Sequence, residues 1–168
     1  SLFFIADYHA LTTIQDPNEF SKLSLEVAAA WLACGLDPSK VIFYRQSDIP
    51  EIFELNWILS CFATKGLLNR AHAYKALVDD NVSNKRDPDH HISMGLFNYP
   101  VLMAADILLF NTHLVPVGAD QKQHVEIARD IAEKFNKTYG ESIVLPEPKI
   151  DDNVKIIPGI DGRKMSKN

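Results

Sequence analysis

Only two cysteines occur in 168 residues, Cys34 and Cys61, and they stand far apart. They cannot form a CxxC pair or a four-ligand zinc site. Both sit in apolar helical patterns, so they are expected to be buried, reduced thiols of a cytoplasmic protein. No stretch reaches the roughly 18 apolar residues that a membrane-spanning helix needs. The residues at the start of the sequence show no basic region and no cleavage site, so they are not expected to form a secretory signal. Seven glycines and nine prolines exclude collagen and low-complexity linkers. Positive charge is in deficit: 17 Lys and Arg face 22 Asp and Glu, a net charge of −5. Such a chain is a poor general phosphate binder. Any contact with nucleic acid must use a local patch or parts outside this chain. No GxxxxGK[ST] and no GxGxxG is present. Asp79-Asp80-Asn81 starts like a calcium loop, but Asn84 and His90 stand where Gly and Glu belong. His90-His91 reads as a solvated pair.

What is present suits one folded domain, 46% hydrophobic and 23% charged. Residues 2–6 are apolar and β-prone, the pattern of a strand buried on both faces. Asp16-Pro17 signals a helix start. Phe20, Leu23, Val27, Ala30, Trp31 and Cys34 then follow at helical spacing, and Gly35 caps the end. Residues 41–44 form a second strand, and a strand–helix–strand unit with short links implies parallel pairing. Residues 50–77 read as helical and 79–89 as a mobile loop. Residues 94–111 read as a helix with Pro100 in its first turn. A third strand is expected over 113–117 and an amphipathic helix over 122–139, capped by Gly140. Residues 143–145 and 154–157 are short β-like runs. The whole reads as α/β with a parallel sheet, interrupted by a helical insertion over about 50–111, after the second strand. The chain opens on an apolar run without Met and stops just past a Lys-rich turn, so it is expected to be a fragment.

Four constellations carry chemistry. Asp106 is the sole charge in the apolar run 101–110. A lone carboxylate on a buried helix is costly without a donor. Tyr99, Met103 and Asp106 share one helix face by their spacing of four and three. They could line an apolar pocket with one acceptor, suited to a flat ligand bearing an N–H; a structural Asp bonded to a neighbour is the alternative. In Val115-Pro116-Val117-Gly118-Ala119-Asp120-Gln121-Lys122-Gln123-His124 a strand ends and a helix starts. Ligands of α/β sheets sit at such carboxyl ends. Gly118 with polar neighbours at a helix N-terminus suits a nucleotide ribose, although Asp120 also suits plain helix capping. Gly162-Arg163-Lys164-Met165-Ser166-Lys167-Asn168 is either solvated surface or a loop whose two lysines clamp phosphate oxygens. His9, after the first strand, is either structural or part of the site.

Taken in order, these segments resemble the tryptophanyl-tRNA synthetases, a family of class I aminoacyl-tRNA synthetases. The likeness runs from Ile5-Ala6-Asp7-Tyr8-His9-Ala10-Leu11-Thr12 through 32–38 and 99–109 to 115–124. It ends at Lys164-Met165-Ser166-Lys167-Asn168, similar to the Lys-Met-Ser-Lys-Ser signature of the class. The resemblance implies a Rossmann-type catalytic domain that activates tryptophan with ATP and Mg²⁺ to tryptophanyl-adenylate and passes it to tRNA(Trp). It implies that Asp106 accepts the indole N–H, with Met103 and Val117 packed on the ring and His9 near it. Tyr99 and Gln121 would hold the α-amino group. Gly118, Ala119 and Asp120 would contact ATP, mainly its ribose, and Ile157 the adenine. Lys164, Met165, Ser166, Lys167 and Asn168 would form the loop on the phosphates, with Lys164 and Lys167 catalytic. No protein-held metal is implied. A homodimer is expected, with the helical insertion as its surface.

Three departures stand out. Tyr8 replaces a frequent Gln, and Asn168 replaces the final Ser. The family's His-Ile-Gly-His-like turn and its anticodon-binding domain are absent, so the domain is expected to be partial and inactive alone. Two rivals remain. A tyrosyl enzyme would carry Gln at the position of Met103. A synthetase-like paralogue would bind tryptophan or nucleotide without charging tRNA.

Overall fold

A parallel strand pair opens the chain in the computed structural model, which describes residues 1–150. Strand β1 (Leu2–Ile5) pairs with β2 (Ile42–Arg45) in the register Leu2–Ile42 to Ile5–Arg45. Between them lie the single turn α1 (Asp7–Ala10) and α2 (Pro17–Ala33). The start of α2 follows from its cap. Asp16 Oδ1 accepts the backbone N–H groups of Asn18 and Glu19 at 3.0 and 2.9 Å, and Pro17 occupies the first helical position. Its end is a Schellman turn. The Leu36 N–H reaches the Trp31 carbonyl at 3.0 Å, and Gly35 takes the positive φ of +100° that this requires.

The strands are less buried than their apolar sequence predicts. Leu2 and Phe3 are each 38% exposed and Ile42 63%, and α2 buries no residue. An apolar run is covered only where other elements pack on it, and here the packing is elsewhere. Four helices follow β2: α3 (Glu51–Ser60), α4 (Lys65–Leu68), α5 (His72–Ser83) and α6 (Met94–Leu108). Helix α6 packs against both α3 and α7 (Lys122–Tyr139). Ile52, Leu59, Val101, Ala104, Ala105, Val125, Ala128, Ile131 and Ala132 are all fully buried there. The core is thus mainly helical.

Several boundaries differ from the sequence reading, each for a local reason. Residues 79–83 belong to α5 rather than to a loop. Asn81 is buried on it, and its amide donates to the carbonyls of Pro88 and His90 at 3.0 and 2.9 Å, so the polar stretch beyond folds back onto the helix. Pro100 falls in the second turn of α6, not the first, because Ser93 caps the helix at Leu96 N. Without an N–H, Pro100 cannot bond the carbonyl four residues before it. Cys34 and Cys61 are exposed, not buried, because each lies just past the last turn of its helix.

Strand β3 (Leu114–Pro116) pairs in parallel with β4 (Glu147–Lys149). The expected β-run at 143–145 is irregular chain instead. Asn136 of α7 holds it, accepting from Ile143 N at 3.0 Å and donating to the Ile143 carbonyl at 2.7 Å. Helix α7 spans its expected limits, and Gly140 follows at φ +85°. The β-like run at 154–157 lies outside the described residues. Among the described residues the two strand pairs are not hydrogen-bonded to each other. Edges β1 and β3 line one groove of about 750 Å³, together with Trp31, Phe110 and Asp106. Among the same residues, no helix is long and apolar enough to cross a membrane.

Candidate active site

The carboxyl ends of three strands meet the middle of α6. Past β1 come Asp7, Tyr8 and His9; past β2 come Gln46 and Ser47; past β3 come Val117 to Gln121. Asp7 is buried and ties the first two ends together. Its Oδ1 accepts from Tyr8 N and Ser47 N, both at 3.0 Å, and its Oδ2 accepts the Ser47 hydroxyl.

Asp106 is 5% exposed on α6. Both of its oxygens accept from Gln46 Nε2 at 2.8 Å. His9 Nδ1 stands 3.8 Å from Oδ2. Burial pushes the Asp106 carboxyl up to about 7; the Gln46 bond works against that shift, and the charge of Asp7 adds to it. Burial also lowers the His9 imidazole below its ordinary value, so it is neutral at pH 7. The 3.8 Å approach is therefore a carboxylate beside a neutral ring, not an ion pair. His9 Nε2 is buried with no hydrogen-bond partner among the described residues.

One helical turn before Met103 and two before Asp106 lies Tyr99, whose hydroxyl meets His124 Nε2 at 2.7 Å. His124 sits in the first turn of α7 and is 4% exposed; burial holds its ring neutral. The Tyr99 and His9 rings stand edge to face, 6.1 Å apart. Tyr8, His9, Tyr99, Leu102, Phe53 and Asn56 share a cavity of about 390 Å³. Met103 and Val117 are half-buried and pack against the helical core.

After β3 the chain turns through Gly118 into one 3-10 turn, Ala119–Gln121, and then α7. A Cβ on Gly118 would fall 2.6 Å from Asp120 Oδ1, so this tight turn admits only glycine while Asp120 keeps its place. Gly118, Ala119 and Asp120 are exposed, as a nucleotide contact requires, and Gln121 is half-buried with its amide 3.3 Å from Asp120 Oδ2. Ile157, Lys164, Met165, Ser166, Lys167 and Asn168 lie outside the described residues. Among the described residues no cluster of three His, Cys, Asp or Glu side chains could hold a metal ion.

The fold thus brings His9, Tyr99 and Asp106 together, and sets the Gly118–Gln121 turn at the next strand end. Three residues had no assigned role from the sequence: Gln46, Asp7 and His124. The signal for Gln46 was its place directly after β2, the carboxyl-end position already used to single out His9 and Gly118.

Parallel strands whose carboxyl ends converge on a helix-borne carboxylate and a tight glycine turn define a Rossmann-like α/β protein. The family model of the class I tRNA synthetases (W and Y) matches residues 1–168, and the chain belongs to that family. It is 63% identical over 169 residues to a tryptophan–tRNA ligase of Xylella fastidiosa, covering 100% of this chain and 39% of the relative. It is 59% identical to a tryptophan–tRNA ligase of Neisseria meningitidis, with 100% of this chain and 50% of that protein covered. A tryptophanyl-tRNA synthetase from Campylobacter jejuni, solved with ADP and tryptophan, superposes with a TM-score of 0.85 at 54% identity, over 98% of this chain and 49% of that one. The chain therefore spans half or less of the length of these relatives.

Proposed function

We propose that this chain carries the tryptophan- and ATP-binding part of a tryptophan–tRNA ligase. The observation that carries the reading is Asp106. It is a buried acceptor on α6, beside Met103 and at the meeting point of the strand ends. The relatives at about 60% identity are named tryptophan–tRNA ligases, which favours this reading over a tyrosyl enzyme. Met103, where a tyrosyl enzyme would carry Gln, agrees with the larger, less polar indole.

In this reading Asp106 accepts the indole N–H, while Met103, Val117 and His9 enclose the ring. Tyr99 and Gln121 bind the α-amino group. The Tyr99 hydroxyl pairs with His124 Nε2 at 2.7 Å, which holds the phenol in place for an ammonium. Gly118, Ala119 and Asp120 take the ATP ribose, Ile157 the adenine, and Lys164 to Asn168 the phosphates. The tryptophan carboxylate attacks the α-phosphate in line and pyrophosphate leaves. No protein nucleophile is needed, so catalysis is positioning plus charge stabilisation. Lys164 and Lys167 meet the charge developing on pyrophosphate. Mg²⁺ would enter on the ATP phosphates. Transfer to tRNA(Trp) follows, in the cytoplasm. Trp57 and Ile58 of α3 are 73% and 44% exposed, an apolar surface that supports a homodimer.

The test is substrate preference in the intact protein. A site built to bond a substrate N–H rejects analogues lacking it by roughly 10⁴. Asp106→Ala should abolish most of the preference for tryptophan over phenylalanine. An unchanged ratio of kcat/KM for the two amino acids would sink the assignment.

A further inference from the structure

We propose that Gln46 is a positioning residue for the amino-acid site: its side-chain amide fixes the plane of the Asp106 carboxylate so that the free lone pairs face the ligand's N–H. This inference rests on the reading of Asp106 as the ligand's acceptor.

Gln46 is fully buried and cannot touch a ligand itself. Its amide is bonded at both the oxygen and the nitrogen. The amide oxygen accepts Tyr8 N–H at 3.2 Å. One proton of Nε2 serves both Asp106 oxygens at 2.8 Å. The other points to His9 Nδ1 at 3.1 Å. This amide orientation suits the ionised carboxylate, which only accepts. His9 Nδ1 also stands 3.3 Å from the amide oxygen of Gln46, so the ring packs against the whole amide.

Asp106 alone could turn about its last torsion. Two equal bonds to one nitrogen hold its plane, and Tyr8 N holds the amide. One side chain thus links the carboxyl ends of β1 and β2 to α6, across 60 residues of sequence. The titratable groups facing Asp106 are Asp7 and His9 of α1 and Tyr44 of β2. Tyr44 is pushed up to about 12, by burial first and the Asp106 charge second. Of the groups around Asp106, the Gln46 amide is the one that favours its ionised form.

The experiment compares Gln46→Leu, the nearly isosteric Gln46→Glu, and Asp106→Ala in the intact protein. The readouts are KM for tryptophan and ATP, kcat, the tryptophan-to-phenylalanine preference, the pH profile of kcat/KM and thermal melting. A hydrogen bond to a charged group corresponds to about tenfold or more. KM for tryptophan should rise by at least that factor in both Gln46 variants, with kcat and KM for ATP little changed. The acidic limb of the profile should move to higher pH, most in Gln46→Glu, which sets a second carboxyl against Asp106. A purely structural role would lower melting temperature and kcat together, and leave that limb in place. Folded Gln46 variants with unchanged tryptophan KM and an unmoved limb overturn the proposal. If Asp106→Ala then loses its preference, the site reading stands without it. If Asp106→Ala keeps its preference, both fall.

Discussion

Replacing Asp106 with Asn should make the protein more stable above neutral pH, while impairing the site. Asp106 is raised from 3.8 to about 7 in the folded protein, chiefly by burial. A carboxyl raised on folding contributes stability that is fully present below its unfolded value. That contribution is lost as pH rises through the folded value. Between about pH 4 and 7 the folded state holds a proton that the unfolded chain has released. Each pH unit in that window therefore costs about 1.4 kcal/mol, and the loss saturates near 4 kcal/mol above pH 7. Asn has the same shape and no charge. It keeps one acceptor toward Gln46, but its buried Nδ2 donors face the Gln46 Nε2 donor unpaired, which takes back about 1–3 kcal/mol. Asp106→Asn should thus gain about 1–3 kcal/mol over the parent at pH 8 and lose its advantage near pH 4. Urea unfolding of both proteins at half-unit intervals from pH 4 to 8 measures this, because the difference cancels other titrations. A variant less stable than the parent at pH 8, by an amount independent of pH, would refute the reasoning. Binding runs the other way: the ionised carboxylate is the better acceptor, so kcat/KM for tryptophan should climb through about pH 7.

Two further outcomes follow from the packing. Tyr99→Phe leaves the buried His124 Nε2 unpaired, which should cost about 1–3 kcal/mol in urea unfolding and, on the proposed reading, raise KM for tryptophan but not for ATP. Ile131→Ala, at a fully buried position of α7, should cost about 2–5 kcal/mol; a loss below 1 kcal/mol would show that the helical core closes over the gap.

Where local chemistry specifies a backbone, the sequence alone was enough. The limits of α7, the Asp16-Pro17 start of α2, its Gly35 end and the parallel pairing of β1 with β2 were all legible. The helix limits rest on residues within a few positions of one another, through a side-chain cap, a fixed φ, a positive φ or a 3.6-residue period, and the parallel pairing on the short links of a strand–helix–strand unit. The isolation of Asp106 was legible for the same reason. What covers an element was not. The apolar run at 2–5 looks the same whether a neighbour lies on it or not, and here Leu2 and Phe3 stay partly open. Asn81 turned an apparent loop into helix, and Asn136 held 143–145 out of a strand, through bonds to chain seven to nine residues away. Strand pairing with Leu114–Pro116 fell to Glu147–Lys149, despite Pro148, because register is set across the sheet and not along the chain. The partner of the lone carboxylate was the tertiary fold's to decide. Gln46 lies 60 residues from Asp106, and nothing in the local pattern of either says that the two will meet. A buried charge needs a donor, but only the packing of β2 against α6 chooses which one.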